Sequence, residues 1–500
     1  MARTASGQDQ RQASRRPKPP ATGRQPSAKG PPSVQLQHPP VDAKWLPEPE
    51  LVFAEGNRHI DPKTGLSLWG PASLGTERHR SKIRVGFVGL ASAIDNVRAL
   101  IEESAQGIPG GETHHPFPGF EESFHTEIAC SDDRLSQVLT VNEHKELLDT
   151  TVSRKRFEST LSILDYKVRL LAERDDRPDL IFVVFDPELY RRMRVVDYRE
   201  KGRQFHRDMR RALKATVMKH RVPIQLVQES TTRRIETGRR QLDHPTEVAW
   251  NLATGAYFKT GGLPWGPGDL APNTCFIGVS FTRPLGSDST LQSSIVQAFD
   301  EQGEGLVLRG PDFSWDERKE GRSPHLSAEP AKELLDMVLA RYRAERGAMP
   351  RRVVVHKSST FEPAERDGFQ QALRSVELHD LVALAQTSDW RLLRAGKYPP
   401  LRGTVLTAGS HSMLYTTGWV SNLGYDHGHV PAPVRITDHV GDTASGQLLS
   451  EILTLTKMNW NSSGFAETMP ITLRFARDVG DILRELPVGA EPRPEYRYYM

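Results

Sequence analysis

Apolar residues along the chain come in two rhythms, short continuous runs and longer stretches repeating near 3.6, and their succession predicts an α/β protein. Leu51–Phe53, Arg84–Gly89, Asp179–Asp186 and Pro223–Val227 read as strands. The third is apolar and bounded by acids, which is the composition of a central parallel strand. Helical spacing through Ile94, Val97, Leu100 and Ile101, over Glu146–Glu173 and over Gln204–His220 fills the gaps between strands. Strand, helix, strand, helix in that order implies a parallel sheet with crossover helices. Val248, Leu252, Ala256 and Tyr257 predict one more helix, which Lys259, Gly261, Gly262 and Pro264 should stop near Thr260.

A second series begins after a Gly/Pro-rich connector near Gly268. Cys275–Phe281 reads as a buried strand, Gly305–Arg309 as its antiparallel neighbour, Ala328–Arg346 as a helix and Arg351–His356 as another buried strand. Leu401–Thr404 and Met413–Gly418 read as late strands, and Pro470–Leu483 as the closing helix. Residues 1–48 are rich in Pro, Gly, Ser, Gln and Arg and poor in apolar side chains, so they are expected to be a disordered basic tail.

Composition narrows the function classes. Five hundred residues with 37% hydrophobic content suffice for two or three domains. No apolar run approaches the roughly 20 residues of a membrane span and no secretory h-region opens the chain, so a cytoplasmic protein is expected. Cys130 and Cys275 lie far apart, which argues against a disulfide or zinc framework. Gly86 and Gly89 lack the G-x-G-x-x-G spacing of a dinucleotide fold. Net charge is only +3, so a nucleic-acid site would have to come from local clustering of Lys and Arg.

One such cluster stands out. On the helix predicted before Pro223, His206, Arg210 and Lys214 recur every four residues and so share a face. A solvated polar face is one reading. The other joins His206, Arg210, Gln225 and Lys259 into a phosphate pocket, because a guanidinium, an imidazole, a carboxamide and an ammonium supply convergent donors and positive charge. For Lys259, stabilising the C-terminal dipole of its own helix is compatible with either.

Lys259, Gly261-Gly262-Leu263-Pro264-Trp265 and Ile277-Gly278-Val279-Ser280, in this order, resemble the junction between the MID and PIWI domains of Argonaute proteins. His206, Arg210, Gln225 within Val222-Pro223-Ile224-Gln225, and Lys259 resemble the family's set for a guide 5′-phosphate, with Arg at 210 where lysine is usual. The resemblance implies a Rossmann-like MID domain over 49–266 and an RNase H-like PIWI domain over 267–500. It also implies Mg2+ at the guide 5′ end, held by the Met500 carboxylate with Gln225, and backbone contacts from Lys214, Lys457, Asn459 and Asn461.

Cutting members carry Asp, Asp and His or Asp where this chain has Ser280, Ser358 and Arg477. A two-metal nuclease needs carboxylates; serine is a weak ligand and a guanidinium repels the ions. Catalysis is therefore not expected here. A guided nuclease rebuilt on Asp288, Asp367 or Asp478 is one alternative, although moving from Arg477 to Asp478 turns a helical side chain by about 100°. A guide-independent single-strand-binding protein is another. No segment ahead of the first lobe reads as a PAZ domain, so the layout resembles short prokaryotic Argonautes. That implies a guide RNA, a complementary single-stranded invader DNA, and an APAZ-containing effector of TIR, sirtuin-like or nuclease type that depletes NAD or degrades nucleic acid in antiviral or anti-plasmid defence.

Overall fold

The computed structural model describes residues 41–111, 114–232, 243–285, 290–298 (backbone only), 305–387, 389–421, 423, 430–486 and 490–500. The expected tail up to residue 40 and Asp288 lie outside these. The last part of that expected tail is ordered: β1 (Val41–Trp45) pairs antiparallel with Thr404–Ala408, Val41 opposite Ala408, and Trp45 Nε1 donates to the Arg402 carbonyl at 2.9 Å. Composition could not reveal this strand, because its partner lies some 360 residues away and supplies the ladder that a short isolated strand lacks.

The first lobe is built on β2 (Lys82–Gly89) and β3 (Leu180–Phe185). Next come the hairpin β4 (Val195–Glu200) and β5 (Arg203–Asp208), then β6 (Ile224–Gln228). Strands β6, β3 and β2 lie side by side, all parallel, with Glu127–Ala129 and Ser136–Val138 also pairing β2. Three helices matter for the site: α1 (Ser153–Ala172), α2 (Met209–Val217) and α3 (Pro245–Lys259). Phe157 and Val168 of α1 and Leu213 of α2 bury on one face of the sheet. Trp250 and Tyr257 of α3 bury in the core on the other.

Two expected helices differ. Glu146–Glu173 is interrupted, giving Val141–Asp149 and α1. Gln204–His220 is a helix only from Met209 onward. Asp208 caps α2 by accepting from the Arg211 amide at 3.1 Å, and the residues before it pair with β4 across Lys201-Gly202. Both turn residues have positive φ, 49° and 78°, as a two-residue hairpin turn requires. At the other end of the lobe α3 stops where Gly261 takes φ 107°, a conformation that L side chains avoid.

The second lobe holds β7 (Thr274–Thr282), β8 (Thr290–Ala298), β9 (Leu306–Ser314), α4 (Ala328–Arg346), β10 (Arg352–Lys357) and β11 (Leu378–Gln386). They are followed by β12 (Thr404–Ala408), β13 (His411–Leu414), β14 (Val434–Gly441) and α5 (Ile471–Leu483). Together with β1 they form a nine-stranded sheet in the order β1-β12-β13-β14-β11-β10-β7-β8-β9. β7, β8 and β9 form an antiparallel meander, and β10 and β11 run parallel to β7. This is the RNase H-like arrangement. The strand beginning near Gly305 is thus not beside β7, because β8 intervenes.

Leu334, Leu335 and Val338 of α4 cover one face of this sheet, and α5 packs on the other. A Cβ on Gly278 would fall 2.0 Å from the Thr472 carbonyl, so only glycine lets α5 settle this close to β7. Helix α5 also abuts α2 across the lobes, where Arg211 pairs with Asp481, and just beyond the two helices Arg207 of β5 pairs with Glu485.

Candidate nucleic-acid site

The C-terminal end of α3, the start of β6 and the first turns of α2 meet at one place. Lys259 is 1% exposed; its ammonium donates to the Ile224 carbonyl at 3.0 Å and to Gln225 Oε1. Burial drives its pKa well below the ordinary lysine value, and the nearby charges of Lys214 and Arg210 push the same way. Lys214, half-buried one helical turn beyond Arg210, is lowered to about 7, first by burial and then by Arg210, with Asp478 and Asp208 opposing. Among the described residues no carboxylate lies within ion-pair distance of Arg210, Lys214 or Lys259, so three basic side chains share a space without a paired anion.

The C-terminus closes one side. Tyr496, Tyr498, Tyr499 and Met500 are buried, the Tyr496 ring stacks on Phe475 of α5 at 3.5 Å, and Lys214 Nζ donates to the Tyr499 carbonyl at 3.3 Å. On the outer side a cavity of about 250 Å³ opens over Arg210 and Gln225, walled also by Tyr190, Asp243, Asn251 and Asn461. Arg210 is exposed at this rim.

Several expected contacts lie elsewhere. His206 sits on β5, not on the helix with Arg210; it is exposed, faces Asp197 across the hairpin and bonds it at 2.7 Å. The spacing of four looked helical, but the Lys201-Gly202 turn and the Asp208 cap decide the local structure. Lys457 is buried and donates to Glu48 at 3.0 Å and to the Pro49 carbonyl at 2.9 Å, so it ties the second lobe to the segment that follows β1 and reaches no surface. Asn459 is also buried, with Nδ2 on Glu467 at 2.7 Å and Oδ1 accepting from the Asn461 amide at 3.1 Å. Asn461 itself is exposed and reaches the cavity. Sequence reasoning placed Lys214 on the nucleic-acid backbone; its four-residue interval from Arg210, counted from the Asp208 cap, is the signal that puts it in the pocket.

A divalent ion does not fit the donor set as it stands. Gln225 Oε1 already accepts from Lys259, two more cations lie close, and a dication would need anionic oxygens beyond the chain-terminal carboxylate of Met500.

In the second lobe, Ser280 lies on β7 and its hydroxyl donates to the Ala476 carbonyl of α5 at 2.6 Å. Ser358 follows β10 and is exposed; since Val279 pairs with Lys357, it stands next in register to Ser280. Arg477 is exposed on α5 beside Ala476. The three positions therefore gather at one end of adjacent strands under α5, with a hydroxyl engaged and a guanidinium in place of acids. The next residue, Asp478, has its carboxyl raised by burial against the pull of Arg474 and Arg477. Among the described residues no three His, Cys, Asp or Glu side chains come together as a metal-holding group.

No family model and no curated protein matches the chain. Solved structures do. Clostridium butyricum Argonaute, bound to a guide DNA with a 5′ deoxycytidine and a 19-mer target DNA, superposes with TM-score 0.64 at 15% identity, over 90% of this chain and 54% of that one. A. aeolicus Argonaute gives 0.55 at 16% identity over 90% and 54%, and Drosophila Piwi 0.56 at 12% over 92% and 56%. The chain thus spans little more than half the length of these structures. What they share with it is the fold: the described residues form a mixed α/β structure of Argonaute type, with a MID-like first lobe and a PIWI-like second lobe.

Proposed function

We propose that the chain is a guide-binding subunit that does not cut. A guide RNA is anchored by its 5′-phosphate on Arg210, Lys214, Gln225 and Lys259, and pairs with complementary single-stranded DNA. Sequence is then read by base pairing while the protein holds the backbone. The observation that carries this reading is Lys259, an amino group 1% exposed beside Arg210 and Lys214 whose partners among the described residues are a carbonyl and an amide oxygen. Such an arrangement is costly until an anion arrives, and a phosphate supplies both the charge and the acceptors.

Absence of cutting is supported by the donor chemistry at Ser280, Ser358 and Arg477, none of which offers an anionic ligand for paired metal ions. The output then belongs to a cytoplasmic APAZ-containing partner of TIR, sirtuin-like or nuclease type, switched on when target pairs with guide. Purification of the full chain from cells tests the guide reading: short 5′-phosphorylated RNA should copurify and be lost on changing Arg210, Lys214 and Lys259 together to alanine. Bound nucleic acid that survives this triple change, or lacks 5′-phosphates, refutes the reading.

A further inference from the structure

Charge is concentrated on one small feature. Between Arg191 and Arg211 the chain carries nine Lys and Arg against three Asp and Glu, in a protein whose whole net charge is +3. Three of those cations are paired: Arg192 with Glu188, Arg207 with Glu158 and Glu485, Arg211 with Asp481. The other six, Arg191, Arg194, Arg199, Lys201, Arg203 and Arg210, are exposed and make no ion pair among the described residues. None of the hairpin's carboxylates forms an ion pair with its tip: Asp197 is bonded to His206, Glu200 pairs with Arg154 at 3.0 Å and Asp208 caps α2.

The hairpin is also braced. Tyr198 and Phe205 stack at 5.1 Å with rings 8° apart, the Arg154 guanidinium lies 5.0 Å over Tyr198, and that of Arg207 lies 4.9 Å over Phe157 of α1. Arg207 and the Asp208 amide are held by Glu485, just past α5. The result is a stiff arm whose second strand runs directly into the helix bearing Arg210 and Lys214. Six residues of strand span about 20 Å, so the tip stands several nucleotides beyond anything seated in the pocket.

We infer that this hairpin is a rail for the nucleic-acid backbone, with Arg199, Lys201 and Arg203 at its tip contacting internal phosphates of the strand whose 5′ end lies in the pocket. Which end of the strand lies nearest rests on the pocket reading; the phosphate contact itself does not. Cations that are exposed, unpaired and held on a rigid element bind phosphates by releasing counterions, without reading bases.

The test uses the full chain, a guide-length 5′-phosphorylated RNA, its 5′-hydroxyl counterpart, and a 5′-phosphorylated dinucleotide too short to reach the tip, with affinities measured across a salt series. Changing Arg199, Lys201 and Arg203 together to glutamine should weaken guide-length binding about 10-fold at low salt and flatten the log–log salt slope by about 2, at roughly 0.7 per single-strand phosphate. Dinucleotide affinity should not change, and Arg199→Lys with Arg203→Lys should retain guide-length affinity. An unchanged slope overturns the rail, as does a loss that extends equally to the dinucleotide or an equal loss in the lysine variant. Failure of the pocket reading looks different: the wild-type chain would then bind 5′-phosphate and 5′-hydroxyl ends alike, whatever the hairpin does.

Discussion

Lys259 and Lys457 are both buried lysines, yet they differ in what surrounds them. Lys457 meets a carboxylate: Glu48 holds it at 3.0 Å, shared with Arg402 at 2.9 Å, and its pKa falls only to about 8, burial being opposed chiefly by Glu48. The same holds elsewhere in the second lobe, where Arg352 is bound by Asp380 and Glu451, and Lys357 by Glu365. Lys259 has no such partner among the described residues, and its nearest charges are cations. A buried charge that is internally paired holds a fold together, whereas one left with unlike geometry and like charges is set up for a ligand.

Replacing each lysine by methionine should separate the two roles by sign. Lys457→Met should lower the stability of the unliganded protein by about 3 kcal/mol, because a buried pair is broken from one side. Lys259→Met should raise it by about 1 kcal/mol, because an uncompensated group is removed. Chemical denaturation of both variants checks this, and a loss of stability in Lys259→Met would erase the contrast.

On binding, loss of Lys259 or Lys214 should each weaken a 5′-phosphorylated oligonucleotide by about 10- to 100-fold, the worth of a charge-assisted hydrogen bond. Lys457→Met should leave the end preference intact.

A smaller effect concerns pH. The folded-state pKa of Lys214, about 7, lies below its unfolded value of 10.5, so between these pH values the unfolded chain binds the extra proton. Its contribution therefore makes the unliganded protein more stable as pH rises from about 7 toward 10.5, and this gain is lost on descending to 7. Phosphate binding, which needs the charged form, should weaken over the same rise. Melting temperatures of wild type and Lys214→Met across this range should diverge accordingly; parallel curves would deny the shift. The smallest effect expected is that of His206→Ala, whose exposed pair with Asp197 is worth under about 1 kcal/mol, with 5′-end discrimination unchanged.

These contrasts also show what the sequence could reveal. Local chemistry was readable: Gly261 and Gly262 mark where α3 ends and hence where Lys259 sits, and the apolar runs at Leu180–Phe185 and Arg352–Lys357 mark buried strands. What depended on distant partners was not. Lys457 looked free for a backbone contact because Glu48 and Pro49, which enclose it, lie some 400 residues earlier. The strand Val41–Trp45 hid among prolines for the same reason. His206 failed for a local one: a four-residue interval fits a helix, but a two-residue turn with both residues at positive φ outweighs it.

The most direct measurement is the ratio of affinities for 5′-phosphate and 5′-hydroxyl ends of one guide-length RNA, taken in the wild type and in Lys214→Met with Lys259→Met. A pocket of unpaired cations gives a preference of at least about 100-fold in the wild type, falling to near unity in the double variant. Equal affinity for the two ends in the wild type, or a preference that survives both substitutions, would contradict it.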